Sequence, residues 1–131
     1  MYRPAVRSSP LALLSLAALA ALAACEKDTD HTRFAESVAE EMYRSSLVIE
    51  MSSRNLAEFS AAQAEAAARR GKAEDEAAFK ASVEDARRHL AEDVAETARR
   101  RGEFLAACKA RGLPPPRCEE RAAAIERDAR K

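Results

Sequence analysis

The chain has 131 residues, with 22 Lys and Arg against 22 Asp and Glu, three cysteines and no tryptophan. That length allows one small domain, and zero formal charge excludes a nucleic-acid binder held by bulk attraction to phosphate. Alanine supplies 32 residues while Gly and Pro together supply 8, and such a mix, rich also in Glu, Arg and Lys, specifies an all-α protein of long helices.

The N-terminus reads as an address. Arg3 and Arg7 form a short positive segment ahead of residues 11–24, LALLSLAALAALAA, which are apolar but for one serine. A helix needs about 20 apolar residues to cross the hydrocarbon of a bilayer, so this run is short for a span and fits a cleavable secretory signal. Leu22-Ala23-Ala24-Cys25 then has the form of a lipobox. On these residues the segment resembles the signals of bacterial lipoproteins. The resemblance implies that Cys25 receives a diacylglyceryl group through its thiol, and that a type II signal peptidase cuts between Ala24 and Cys25. Membrane attachment is then through acyl chains on Cys25; at about 0.8 kcal/mol per buried methylene, two or three chains anchor durably where one does not. An ordinary signal peptide would leave Cys25 incidental. The next residue is Glu26, not Asp, which by analogy with enteric bacteria implies sorting to the outer membrane, facing the periplasm.

On that reading residues 1–24 are removed, 25–30 are a lipid-anchored linker, and 31–131 are one helical domain. The processed chain carries formal charge −2, and Leu, Ile, Val and Phe make up only 15 of its 107 residues, a thin basis for a core. Cations stand just before each glycine, at Arg69-Arg70-Gly71, Arg100-Arg101-Gly102 and Arg111-Gly112. That pattern marks helix C-termini, where positive charge meets the negative end of the dipole and glycine takes the left-handed cap.

A stripe of Phe34, Val38, Met42, Ile49, Leu56, Phe59 and Ala66 predicts a helix over about 31–70. A second stripe, Phe79, Val83, Ala86, Leu90, Val94, Ala98, Arg101, Leu105 and Cys108, keeps phase across Gly102 and predicts one helix over about 73–111. Equal lengths and a two-residue connector make these a long antiparallel hairpin, with Phe59 expected against Val83, Ile49 against Val94 and Val38 against Leu105. Pro114-Pro115-Pro116 interrupts helix, and a short third helix over about 117–130 presents Cys118, Ala122, Ile125 and Ala129 to the end of the hairpin nearest the anchor. With Cys25 lipidated, Cys108 and Cys118 remain as an even pair in an exported chain, so a disulfide is expected to bracket the turn.

Asp85, His89 and Asp93 share one helix face, but without a second histidine nearby the expected reading is a salt-bridged surface and no metal. No Ser-His-Asp set, glycine-rich phosphate loop or convergent carboxylate pair stands out, so neither an enzyme nor a cofactor is expected. Met42, Tyr43, Leu47, Val48 and Met51 place apolar groups around most of the first helix. They are either core beneath the third helix or a contact surface for a second copy or an envelope partner. The leading expectation is a lipid-anchored, non-catalytic interaction or structural protein of the cell envelope. A small periplasmic ligand- or metal-binding protein is a further alternative. Another comes from Phe104-Leu105-Ala106-Ala107-Cys108, a proline-bearing turn and Cys118-Glu119-Glu120-Arg121-Ala122. About 30 residues there resemble the tail of the EexN-like exclusion lipoproteins of conjugative elements, which implies interference with a mating channel.

Overall fold

A computed structural model describes residues 29–131. The expected signal segment, the expected cleavage between Ala24 and Cys25, the expected lipidation of Cys25 and most of the expected linker lie outside the described residues.

Three helices follow in order, α1 (Asp30–Arg70), α2 (Ala73–Ala110) and α3 (Pro115–Ala129). Thr29 starts α1 one residue earlier than expected, through a reciprocal cap: its hydroxyl accepts from the Thr32 amide at 3.3 Å, and the Thr32 hydroxyl accepts from the Thr29 amide at 3.0 Å. Gly71 ends α1 at φ 71°, donating its N–H to the Ala68 carbonyl. A side chain at that left-handed position would be strained, which is why the turn takes glycine. Gly102, by contrast, sits inside an unbroken α2. At 1.5 Å per residue α1 and α2 each run about 60 Å, antiparallel and packed along their length.

Two boundaries depart from the sequence reading. Helix α2 ends at Ala110, with Arg111 as its cap and Gly112 at φ 85° just beyond. Helix α3 begins at Pro115, not 117, because Pro115 and Pro116 occupy the first two helical positions, where a missing N–H costs nothing.

The larger departure is the face on which the hairpin closes. Helix α1 buries Glu36, Tyr43, Ser46, Ala57, Ser60 and Ala67, with Ala39, Glu50, Ser53 and Ala64 half-buried between them. These positions advance by alternate steps of three and four, a strict seven-residue repeat of mostly small side chains. The expected stripe lies one residue away on the helix, about 100° around, and stays largely outside: Phe34, Val38, Met42, Ile49, Leu56 and Phe59 keep 40–67% of their surface exposed. In α2 the expected stripe holds through Val83, Ala86 and Leu90. The inward positions then become Asp93, Thr97 and Phe104, leaving Val94 outside and Leu105 only half-buried, before the expected Cys108 is buried again. The register runs within a few residues of the expected one, but the pairs Phe59–Val83, Ile49–Val94 and Val38–Leu105 are replaced by Tyr43 with Phe104, Ser46 with Thr97 and Ser53 with Asp93.

Small residues close the seam at little cost because their hydroxyls are satisfied within it. The Thr97 hydroxyl donates to the Ser46 carbonyl at 3.2 Å, Ser46 to the Tyr43 carbonyl at 2.7 Å, and Ser53 to the Asp93 carboxylate. The large apolar groups gather at one end. Tyr43, Phe104, Cys108, Cys118, Ala122 and Ile125 form the core where α3 folds back over the hairpin end opposite Gly71, with Ala39, Leu47, Leu105 and Leu113 packed around them. The rings of Tyr43 and Phe104 stack at 6.2 Å between centroids. The Cys108–Cys118 disulfide lies fully buried in this cluster, closing the turn with a Cα–Cα distance of 5.9 Å. The expected face of α3 is the one used: Cys118, Ala122 and Ile125 are buried and Ala129 half-buried.

Candidate interaction surface

Two polar clusters lock α3 onto the hairpin, and neither was legible in the sequence. In the first, Glu36 of α1 is 2% exposed and accepts from Arg111 Nη1 at 2.7 Å and from Arg121 Nη1. Arg121 also reaches Glu40 at 3.0 Å and lays its guanidinium over the Phe104 ring, 5.4 Å from the centroid. Arg44 pairs with Glu40 at 2.8 Å from the next turn of α1. One buried carboxylate thus joins α1, the end of α2 and α3.

In the second cluster the Tyr43 hydroxyl donates to Glu126 Oε1 at 2.6 Å, and Arg101 donates to the same oxygen at 3.1 Å and to Glu119 at 2.6 Å. Burial, reinforced by the neighbouring carboxylate, pushes the Tyr43 phenol well above its ordinary pKa. The bonds from Tyr43 and Arg101 hold the Glu126 carboxyl below the ordinary range, against the opposing effect of its partial burial. These groups are bonded to one another in a fully engaged set, which suits a clamp between helices.

The expected patch divides. Tyr43 is 1% exposed and Leu47 packs against the core, so these two belong to the interior beneath α3. Met42, Val48 and Met51 remain exposed. Met51 lines a groove between α1 and α3 with Leu47, Arg54 and Ala129. Met42 lies on the other flank of α1, in a groove against α2 with Ser45, Ile49, Asp93 and Arg100. Met42 therefore continues the exposed row of Val38, Ile49, Leu56 and Phe59. Sequence reasoning found the members of this row and assigned them to the inside. The missing signal was the parallel seven-residue repeat of Ala and Ser one position on, which gives the helices a closer approach.

Asp85, His89 and Asp93 do not converge. His89 faces Asp85 and Glu92, each at 3.6 Å, on the open surface, whereas Asp93 turns into the seam toward Ser53. Among the described residues no group of three or more His, Cys, Asp or Glu is placed to hold a metal ion, and no helix is long and apolar enough to cross a membrane. Several other exposed charges pair along their own helices, as in Arg54–Glu50, Arg69–Glu65 and Lys80–Glu76. Such pairs keep a helix face soluble and add little stability.

Comparison of the chain with protein-family models, with curated proteins and with solved structures finds no match in any of the three.

Proposed function

We propose that this chain is a lipid-anchored protein of the bacterial cell envelope whose role is non-catalytic: it presents the outer face of α1 to a partner. The observation that carries the reading is the exposed row of Val38, Met42, Ile49, Leu56 and Phe59, together with Phe34 at one end. A short all-α chain with so few large apolar residues would lower its free energy by burying them. Here they stay outside while Ala and Ser fill the seam, the arrangement expected when the outer surface is to be covered by something else. The charged groups near the core are engaged in holding helices together, and the disulfide at the base of the hairpin suits a chain that works outside the reducing cytosol.

In this reading the lipobox at Leu22-Ala23-Ala24-Cys25 supplies the tether. The five residues between Cys25 and His31 span at most about 17 Å, so the disulfide end sits near the membrane and Gly71 projects away from it. Mass spectrometry of natively expressed protein tests the reading directly. The expected result is an N-terminal Cys25 carrying acyl chains; an unprocessed Met1 start, or a processed Cys25 with a free thiol, overturns it.

A further inference from the structure

The occupant of the α1 face can be named. We infer that it is a second copy of this chain, paired α1 to α1 in parallel, so that Met42, Ile49 and Leu56 each meet their own counterparts. The parallel direction rests on the anchored reading above, because two chains tethered by the same end rise in the same direction. The pairing itself rests on the row.

Period comes first. Val38, Met42, Ile49, Leu56 and Phe59, with Ser45 and Ser52 in the intervening places, advance in alternate steps of three and four. This is the same seven-residue repeat as the buried seam, displaced by one residue throughout. A straight partner helix drifts off such a row within a few turns; only a helix with the same repeat follows it to the end. Helix α1 of another copy meets that requirement. The two serines let the backbones approach between the larger layers.

Access and area agree with it. Helix α3 lies on the other side of α1, where Leu47, Met51 and Arg54 face Glu126 and Ala129, so it does not obstruct the row. From their exposures of 40–67%, the six large residues offer on the order of 600 Å² per copy. Two copies together can bury at most about 1,200 Å² from these residues, the lower end of the size of a specific protein interface. The rim disfavours a lipid surface as the occupant. The groove beside Met42 and Ile49 carries Asp93 and Glu96 against Arg100, whereas helices that lie on anionic bilayers surround their apolar face with Lys and Arg.

The test uses the full chain in the cells that make it. Ile49→Cys and Leu56→Cys, each introduced singly, are expected to give a disulfide-linked pair of chains on mild oxidation. The parent chain, with its own cysteines, and Ala91→Cys on the exposed back of α2 are expected to give none. Adding Ile49→Glu to Leu56→Cys should abolish the adduct, and purified Ile49→Glu/Phe59→Glu should fall from the mass of two chains to that of one with its helical circular dichroism unchanged. The inference is overturned if Ile49→Cys gives no more adduct than Ala91→Cys, if the double variant keeps the two-chain mass, or if Ile49→Cys links only to Ser52→Cys, as antiparallel chains would. Adducts of Ile49→Cys with a different protein also overturn it. An acylated Cys25 without an Ile49 adduct defeats the pairing alone; an Ile49 adduct with a free Cys25 thiol defeats the anchor alone.

Discussion

Replacing Glu36 by Gln removes one negative charge and little volume from the point where all three helices meet. The native carboxylate is 2% exposed and holds two guanidinium groups, Arg111 at 2.7 Å and Arg121. A hydrogen bond to a charged group contributes about 1.5–3 kcal/mol, and breaking a fully buried ion pair costs about 3–5 kcal/mol. The arginines are not fully buried. Arg111 and Arg121 retain 26% and 35% side-chain exposure, and Arg121 keeps Glu40 and the Phe104 ring, so water and these partners recover part of the loss. The amide oxygen of glutamine can still accept from one arginine while its NH2 opposes the other. Glu36→Gln is therefore expected to lose about 2–3 kcal/mol. For a domain of this size that lowers Tm by about 10–20 °C, read by far-UV circular dichroism, with urea denaturation for the free energy. Arg121→Met should couple to Glu36→Gln by about 1–2 kcal/mol in a double-mutant cycle. A loss below about 0.5 kcal/mol for Glu36→Gln, or strict additivity of the two changes, would refute the assignment of Glu36 as the tie between the helices.

Four further variants test other parts of the structure. Cys108→Ser/Cys118→Ser opens a short loop that the disulfide closes across ten positions, and should lower unfolding free energy by about 3 kcal/mol, seen equally when the parent protein is reduced. Gly71→Ala forces a side chain into φ 71° and should cost about 1 kcal/mol, whereas Gly102→Ala, with open space around its added methyl, should raise stability by up to about 1 kcal/mol; equilibrium unfolding separates the two signs. The Glu126 carboxyl, held below its ordinary value by Tyr43 and Arg101, contributes stability that is present above the unfolded-state carboxylate pKa and is lost as pH falls through the lower folded-state value. Melting temperature should therefore decline on acidification below about pH 4.5, and Glu126→Gln should flatten part of that decline; an unchanged pH profile in the variant sinks the reading.

The number of helices, their approximate ends, the antiparallel connection and the disulfide were legible along the chain because each has a local cause. Gly71 supplies the only backbone that turns α1 into α2 without strain, acidic residues open α2, and Pro115 and Pro116 start a helix they cannot continue from behind. Two cysteines ten positions apart around that turn meet with no long-range information required. Even the continuity of α2 across Gly102 follows from the modest cost of one interior glycine.

What local pattern left undecided was rotation about the helix axis. Two repeats of the same period run along α1, one of large apolar residues and one of Ala, Ser and Glu36, and either gives an amphipathic helix. The choice is made at the far end, where the buried disulfide, Ala122 and Ile125 admit the Tyr43 and Phe104 rings, and Arg111 and Arg121 converge on Glu36. Once Tyr43 faces Phe104, the seven-residue repeat carries Ser46, Ala57, Ser60 and Ala67 inward for the rest of the helix and leaves Ile49 and Phe59 outside. Local chemistry along the chain determined the elements; contacts between residues more than 60 positions apart decided which side of them is the surface.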